Sequence, residues 1–319
     1  MRALTFDRRL SLDPRYPDPR AAPGDVLVRV HLAGISADDL RIAAGATSFR
    51  GVPGHEFVGT VEEGPPAWNG KRVVGEGHCV CRQCDLCLSG LASHCRRRTV
   101  IGVEGRDGCL ADWLAVPERN LHAIPDTISD EEAVFVPLVA AAYQVLAQSP
   151  IETRDQVSVV GAGRLGLLVA QVLKTTGCKL TVVGRNRDKL LLCEKKGVQA
   201  VLVGDLTPKH DRDVVVECSG SAEGLRLAMA LVRPRGTIVL KSKLFDADRL
   251  DLSGLVRNEI RLTGNRDGPF GDAINALARQ AVEVRSMVSR VFPLAQGVSA
   301  FEAAARPENI KILVKVNPP

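Results

Sequence analysis

The spacing of apolar residues changes once along the chain, close to residue 156. Before that point, residues 25–35, 57–64 and 71–77 form short apolar runs separated by Gly and Pro, a pattern typical of β-strands. Residues 125–135 predict a turn followed by a capped helix with acidic residues in its first turn. The N-terminal part of the chain is therefore predicted to be β-rich.

Beyond residue 156, apolar strands alternate with helical segments. This alternation is typical of a parallel sheet covered by helices on both faces, so we predict a doubly wound α/β domain here. The expected strands are 156–163, 179–184, 200–205, 213–220, 236–242 and 259–265, and the expected helices are 164–176, 187–197 and 222–232. A helix at 271–283 and a strand at 311–316 are expected to complete the chain.

Length and composition limit the possible classes of protein. The 319 residues are enough for about two domains, and 45% hydrophobic and 25% charged residues are typical of a globular protein. The net charge of +5 is mild and aromatic residues make up only 4%, which disfavours nucleic-acid binding. No apolar run is long enough for a membrane span and the N-terminus lacks a signal-peptide pattern, so we expect a cytoplasmic protein.

A glycine motif follows the first of the alternating strands. Gly161, Gly163 and Gly166 have G-x-G-x-x-G spacing and open a predicted helix whose first residues include Arg164 and Leu165. The first glycine permits a tight turn, the second lets a pyrophosphate approach the backbone, and the third permits close packing of helix on strand. The helix N-terminus then binds the pyrophosphate. The motif in this context predicts dinucleotide binding.

The end of the second alternating strand indicates which dinucleotide binds. NAD-binding proteins carry Asp or Glu there for the ribose 2′-hydroxyl. This chain has Gly184, followed by Arg185, Asn186 and Arg187. Guanidinium groups bind phosphate oxygens in a bidentate manner, whereas a carboxylate would repel a 2′-phosphate. We therefore predict NADP(H) rather than NAD(H).

Five of the nine cysteines lie between residues 79 and 95. Cys81, Cys84, Cys87 and Cys95 have C-x2-C-x2-C-x7-C spacing, which predicts a tetrahedral structural Zn²⁺ site without an open coordination position. Cys79 fits the pattern less well and is left out of the ligand set. The cysteines outside the cluster are expected to be small core residues: Cys109, Cys178, Cys193 and Cys218.

Taken together, these motifs resemble the medium-chain dehydrogenase/reductase superfamily in its zinc-type alcohol dehydrogenase branch. The resemblance rests on "AGISADDL", "GVPGHEFVGTV", the four-cysteine segment, "RDGCLADWLAVPERNLHAIPD", "GAGRLG" and "RPRGTIVL", in that order. It implies a GroES-like, β-rich catalytic domain at 1–133 and 266–319, with a zinc lobe at about 79–97, and a Rossmann domain at 134–265. It also implies a small-molecule substrate and a homodimer or homotetramer.

The same resemblance identifies candidate catalytic residues and one departure from the family. The family holds a catalytic zinc with a Cys, with the His of "GHE" and with a later Cys or Glu; here His55 and Glu56 are present, but Ser36 replaces the Cys. The later ligand falls at Val136 or Pro137, neither of which can coordinate zinc. Because a catalytic zinc needs about three protein ligands, we do not expect one.

Further roles follow from the resemblance. Asp38 replaces the residue that normally relays the alcohol proton, and Asp39 corresponds to the residue that orients the His. Cys218 and Ser219 end the fourth alternating strand, where the family contacts the nicotinamide ribose. The candidate catalytic residues are Asp38, His55 and Glu56, and Tyr143 is a further candidate proton donor.

Three functions remain open from the sequence. The first is an NADP(H)-dependent oxidoreductase that acts on a small alcohol/carbonyl pair with an altered metal site. The second is a zinc-independent reductase of an activated C=C or C=N bond or of a quinone. The third is a cofactor-binding protein without redox turnover.

Overall fold

The computed structural model describes residues 1–243 and 251–318. The chain divides into two compact units, one formed by Met1–Pro137 together with the segment from Glu283 onwards, the other by Leu138–Val282. The sequence predicts the second boundary at 265/266, whereas the packing places it at 282/283. Gly268 lies against the second unit's Ala140, where a Cβ on Gly268 would stand 1.8 Å from the Ala140 carbonyl oxygen. The segment that follows residue 265 therefore packs with the second unit.

The first unit is β-rich, as the sequence predicts. Up to residue 135 its elements are β1 (Ala3–Asp7), β2 (Arg9–Asp13), β3 (Asp25–Gly34), α1 (Ala37–Ala43), β4 (Glu56–Glu63), β5 (Arg72–Gly75), β6 (His78–Cys79), α2 (Asp85–Leu88), β7 (Thr99–Ile101), β8 (Gly105–Arg106), β9 (Trp113–Pro117), β10 (Leu121–Ala123) and α3 (Asp130–Ala133). The helix expected within 125–135 is α3. Ser129 caps it by accepting a hydrogen bond from the backbone N–H of Glu132.

The middle of the chain alternates strands with helices. Its elements are α4 (Val136–Gln148), β11 (Gln156–Val160), α5 (Arg164–Lys174), β12 (Lys179–Gly184), α6 (Arg187–Glu194), β13 (Gln199–Leu202), β14 (Arg212–Glu217), α7 (Ala222–Leu231), β15 (Val232–Leu240), α8 (Ser253–Arg257), β16 (Arg261–Gly264) and α9 (Phe270–Ala278). The chain ends with β17 (Val288–Pro293), α10 (Gly297–Ala305) and β18 (Lys311–Lys315). No helix in the described ranges is long and apolar enough to cross a membrane.

In the first unit, β3 is the central strand of the main sheet. The sheet order is β10-β5-β4-β3-β18-β17, and β9 also pairs with β3. Alternate residues Val26, Val28 and Val30 of β3 are fully buried, which is the period of two expected for a half-buried strand. Strand β18 runs antiparallel to β3, with Leu313 opposite Gly34. The C-terminal segment thus contributes a strand to the sheet that the N-terminal part begins.

The second unit contains a parallel sheet of order β13-β12-β11-β14-β15-β16. All of its pairings are parallel, so the carboxyl ends of the strands lie along one edge. The direction in which the chain winds reverses between β11 and β14. In open parallel sheets this reversal point forms the crevice in which ligands bind. The predicted α/β fold, a β-rich domain with a doubly wound parallel-sheet domain, is confirmed.

A buried ion pair joins the last strand of the first unit to β4. Lys311 is fully buried, and its Nζ forms an ion pair with the carboxylate of Glu56, which is 3% exposed. Nζ also donates a hydrogen bond to the carbonyl oxygen of Ile35 at 3.0 Å. Gly34 makes room for the lysine, because a Cβ there would stand 2.7 Å from Lys311 Cε. Both charges therefore have a partner in a region that excludes water.

We expect replacement of either charge to destabilise the first unit more than replacement of both. Lys311→Met leaves the Glu56 carboxylate buried without a counter-ion, at a cost of about 3–5 kcal/mol in the free energy of unfolding. Glu56→Gln together with Lys311→Met removes both charges, so the double variant should regain part of that loss. Urea unfolding of the single and double variants measures the difference. If the double variant is as unstable as the single variants, or if its loss equals the sum of theirs, the pair does not couple the two strands.

Candidate functional site

The glycine motif forms a tight turn with open space beside it at the end of β11. Gly161 has φ +107°, a conformation that favours glycine, and a Cβ on it would stand 2.7 Å from the backbone N of Ser219. A Cβ on Gly166 would stand 1.8 Å from the Gly161 carbonyl oxygen, so the helix packs tightly on the turn. A Cβ on Gly163 meets no atom within 4 Å. The open space lies at the N-terminus of α5, where helix N–H groups favour an anion, so the turn fits a dinucleotide pyrophosphate.

Two further residues of the motif, Arg164 and Leu165, are half-buried in the first turn of α5. Neither is packed into the apolar core that fills the rest of this helix from Gly166 to Leu173. The sequence-predicted cofactor residues at 161–166 are therefore brought together on one turn.

The residues after β12 differ in their availability for a ligand. Asn186 caps α6, since its Oδ1 accepts a hydrogen bond from Lys189 N at 3.0 Å. Arg187 is held by Glu194, with Nη–Oε distances of 2.8 and 3.2 Å. Arg185 is exposed, and its guanidinium makes no hydrogen bond or ion pair within the described ranges. Of the two predicted arginines, Arg185 alone has an uncommitted guanidinium.

Gly184 is the last residue of β12, and the surrounding atoms leave little space for a side chain. A Cβ there would stand 2.9 Å from Ala162 Cβ and 3.0 Å from Leu190 Cδ2. A carboxylate side chain at this position would therefore have to displace the glycine turn or helix α6. The absence of an acidic residue thus has a packing reason as well as an electrostatic one.

A buried glutamate organises the end of β14. Glu217 is fully buried, and its Oε1 accepts hydrogen bonds from the backbone N of Ser219 at 2.6 Å and from Ser219 Oγ at 2.5 Å. Its Oε2 accepts a bond from Ser242 Oγ at 2.6 Å. Burial raises the pKa of the intervening Cys218 thiol well above its usual range, so the thiol stays neutral. Cys218 and Ser219 lie beside Gly161, but the Ser219 hydroxyl is already bound by Glu217.

The four predicted zinc ligands come together in the first unit. The Sγ–Sγ distances are 3.4 Å for Cys81–Cys95, 3.9 Å for Cys84–Cys95 and 4.0 Å for Cys81–Cys87, and all four sulfurs lie within 4.8 Å of one another. Tetrahedral Zn–S bonds of about 2.3 Å imply sulfur–sulfur edges of about 3.8 Å. The cluster therefore fits Zn²⁺. Among the residues that the structure describes, it is the one set of three or more His, Cys, Asp or Glu side chains grouped closely enough to bind an ion.

Cys79 lies outside this cluster. It is buried, and its sulfur accepts a weak hydrogen bond from Asn120 Nδ2 at 3.7 Å. Burial raises the pKa of its thiol, which disfavours the thiolate that zinc binds. This position is consistent with its omission from the predicted ligand set.

In the segment around His55, fewer side-chain atoms are available to bind a metal than the sequence suggests. Ser36 caps α1, accepting from Asp39 N at 3.1 Å, while Ser36 N donates to Asp39 Oδ2 at 2.7 Å. The other Asp39 oxygen accepts from Gly54 N at 2.9 Å. Asp39 therefore positions the backbone before His55 and does not bind the His55 ring, unlike the role that the resemblance implies. His55 Nδ1 is buried and has no hydrogen-bond partner in the part of the chain that is described.

These residues do not fit a catalytic zinc. Glu56 is paired with Lys311, Ser36 is committed to its helix cap, and Val136 and Pro137 have no side-chain donor. Asp38, half-buried in the first turn of α1, and His55 would supply at most two ligands, which is one fewer than a catalytic zinc requires.

Two further residues have informative surroundings. Tyr143 is half-buried in α4, and burial raises the pKa of its phenol. Lys311 was not among the residues singled out from the sequence. Its signal is a lysine at the start of the apolar run "KILVKV", where an apolar residue would be expected.

Comparison with known proteins places both units in known families. The alcohol dehydrogenase GroES-like domain family matches residues 22–126, and the zinc-binding dehydrogenase family matches residues 165–279. D-arabitol-phosphate dehydrogenase of Enterococcus avium is 28% identical over 98% of this chain and 95% of its own length. L-threonine 3-dehydrogenase of Chelativorans sp. (strain BNC1) is 32% identical over 78% of each chain.

A solved structure agrees over the whole chain. A zinc-binding dehydrogenase homologue from Sinorhizobium meliloti 1021, bound to NADP, superposes with a TM-score of 0.87 and 26% identity, covering 99% of both chains. The chain therefore belongs to the medium-chain dehydrogenase/reductase superfamily, in its zinc-type alcohol dehydrogenase branch, and is an NAD(P)-dependent oxidoreductase.

Proposed function

We propose that this oxidoreductase uses NADP(H) to interconvert a small alcohol and its carbonyl compound without a catalytic zinc. The observation that carries the proposal is the set of possible metal ligands around His55. Among them, Ser36 caps α1 and Glu56 is paired with Lys311. A zinc held by His55 and Asp38 alone would lack its third protein ligand. The family fold and its dinucleotide turn are nevertheless complete.

The preference for NADP(H) is supported by the end of β12. Gly184 presents no carboxylate to repel a 2′-phosphate, and the exposed Arg185 has no competing partner within residues 1–243 and 251–318. Arg187 would have to leave Glu194 to bind the same phosphate. We therefore assign the main phosphate contact to Arg185. The related protein from Sinorhizobium meliloti 1021 is bound to NADP, which supports the proposed cofactor preference.

The substrate class is supported by the relatives. D-arabitol phosphate and L-threonine, named in the relatives' activities, are small hydroxyl compounds that become carbonyl compounds on oxidation. We propose a substrate of this general size and chemistry.

When bound, the dinucleotide supplies or accepts the hydride, and the protein must then move one proton to or from the substrate oxygen. We assign this proton transfer to His55, with Asp38 as its relay. His55 Nδ1 is buried and makes no hydrogen bond among the described residues, so no carboxylate of the described chain holds that side of the ring. Glu56 is held by Lys311, so we assign it a positioning role beside His55 and no proton transfer.

We also propose that the Cys81, Cys84, Cys87 and Cys95 thiolates bind one structural zinc. The four sulfurs leave no open coordination position, so this ion would stabilise the lobe and contact no substrate.

The first prediction concerns zinc content. We expect one zinc per chain in the purified wild-type protein, measured by mass spectrometry of the metal after dialysis against metal-free buffer. Cys84→Ser should lose this zinc, because three thiolates hold it poorly. His55→Ala should retain it, and so should Cys178→Ser, a control that removes a half-buried thiol outside the lobe. Two zinc ions per wild-type chain, one of them lost in His55→Ala, would overturn the zinc-free site.

The second prediction concerns the cofactor. Arg185→Asp should weaken NADPH binding and shift the preference towards NADH, because the new carboxylate repels the 2′-phosphate and accepts a bond from a 2′-hydroxyl. The ratio of the two dissociation constants, measured by fluorescence titration, should change by about tenfold or more, as expected for loss of a charge-assisted bond.

Lys195→Asp is the matched control for this substitution. It makes the same change of charge on an exposed side chain at the far end of α6, about 12 Å away along the helix. A preference that changes equally in both variants would show that overall charge, rather than Arg185, determines the cofactor.

The third prediction concerns the reaction. NADPH should be consumed with small aldehydes or ketones, and added zinc should not raise the rate. His55→Gln should lower kcat by about 10²–10⁴, the usual contribution of a positioned proton-transfer group. Turnover with enones or quinones alone would favour the zinc-independent C=C or quinone reductase instead. NADPH binding without any turnover would favour a cofactor-binding protein.

A further inference from the structure

Lys241 is a buried cation that forms no ion pair with an acidic side chain among the described residues. It follows β15 directly, is 9% exposed, and donates from Nζ to Asn265 Oδ1 at 2.5 Å. The Asn265 amide nitrogen donates to Gln144 O at 2.9 Å and to Gln148 Oε1 at 2.5 Å, both on α4. No carboxylate lies within ion-pair distance of Nζ in the described part of the chain. The ammonium is therefore held by one neutral acceptor.

Such an arrangement is costly for a structural lysine. A buried charge is normally paired, as Lys311 is with Glu56 in the first unit. Burial lowers the pKa of Lys241 to about 8, so the side chain changes charge near neutral pH. An apolar residue at this position would avoid the cost, which suggests that the charge has a use.

None of the described ionisable groups around Lys241 forms an ion pair with its ammonium. These groups are Cys218 and Glu217 from β14 and its end, and Asp267 after β16, whose negative charge favours the ammonium from beyond ion-pair distance. Burial keeps the thiol of Cys218 neutral by raising its pKa. Glu217 is bound by Ser219 and Ser242, and Asp267 is paired with Arg266 at 3.0 Å.

The sheet order indicates which part of the cofactor would lie nearest to Lys241. The pyrophosphate belongs at the turn after β11, and the adenosine ribose belongs at the end of β12. The remaining half of the dinucleotide must extend in the opposite direction, over the ends of β14 and β15. The backbone N of Lys241 donates to the Glu217 carbonyl oxygen at 2.9 Å, so Lys241 lies at this carboxyl edge. Two strand spacings, or about 10 Å, separate it from the end of β11.

We propose that Lys241 makes this chain sensitive to the redox state of its cofactor: its ammonium disfavours the cationic ring of NADP⁺ and favours the neutral ring of NADPH. The inference rests on the proposed binding of NADP(H). The two forms of the cofactor share the same phosphates and adenosine, so the charge of the nicotinamide ring is the main difference that a nearby cation can detect.

Linkage gives the sign of the pH dependence. Below pH 8 Lys241 is charged and repels NADP⁺, so the ratio of the dissociation constants of NADP⁺ and NADPH is high. As pH rises through the pKa of Lys241, the side chain becomes neutral and the ratio falls. Reciprocally, binding of NADP⁺ should release a proton from Lys241, and binding of NADPH should not.

Isothermal titration of the wild-type protein with NADP⁺ and NADPH, about two pH units either side of the pKa of Lys241, tests this inference. We expect the ratio of dissociation constants to fall about tenfold across this range, which corresponds to a shift of one pKa unit between the two complexes. Titration of the 2′-phosphate affects both forms alike and cancels in the ratio.

Two variants of Lys241 separate charge from packing. Lys241→Met should have a low ratio that does not change with pH, because the cation is removed. Lys241→Arg should have a high ratio that does not change with pH, because the guanidinium stays charged. Lys195→Met, which removes an exposed lysine on α6, should behave as wild type. Circular dichroism checks that each variant is folded.

The possible outcomes are distinct. A wild-type ratio that does not depend on pH would overturn the inference even if Lys241→Met fails to fold. A pH-dependent ratio that persists in Lys241→Met or Lys241→Arg would overturn it as well, since another group would be responsible. If neither cofactor form binds, the proposed function and the inference both fail. If both bind and the ratio ignores pH, only the inference fails.

Discussion

The ion pair between Lys311 and Glu56 is the constraint on which the candidate catalytic segment depends. Glu56 follows His55 directly, and its carboxylate lies in a region that excludes water. A charge in such surroundings requires a partner, and the C-terminal strand β18 supplies one from the other end of the chain. Because β18 also pairs with β3, the ion pair, the central strand and the segment that carries His55 form one packed assembly. The role available to Glu56 is determined by this packing.

The two buried lysines show how one residue type serves different purposes. Lys311 has a carboxylate partner, so its charge is balanced and the pair stabilises the packing of β18 against β4. Lys241 has a neutral amide partner, so its charge is poorly balanced and responds to its surroundings. The first arrangement joins strands, and the second can sense a charge brought by a ligand. The distinction comes from the partner, not from the depth of burial, since both side chains are largely removed from water.

The hydrogen bonds of the described residues refine several sequence-based roles. Asp39 was expected to orient His55, but it binds Ser36 N and Gly54 N and so shapes the backbone of the turn. Asn186 and Arg187 were grouped with Arg185 as cofactor-binding residues. A helix cap and an ion pair with Glu194 occupy them, which leaves Arg185 as the principal candidate. Side chains that a motif treats as equivalent thus acquire different partners from their local geometry.

The sequence by itself determined the fold class, the glycine turn and the thiol cluster, because each rests on local spacing. The period of apolar residues sets strands and helices, three glycines at fixed intervals shape one turn, and four cysteines within fifteen residues can reach one ion. Only the tertiary structure decided the pairing of Glu56 with Lys311 and the hydrogen bond of Lys241 to the neutral Asn265. Residue 311 is separated from residue 56 by most of the chain, and no local pattern encodes such a contact. The partner of a buried charge is set by which strands become neighbours, and this depends on the packing of the whole unit.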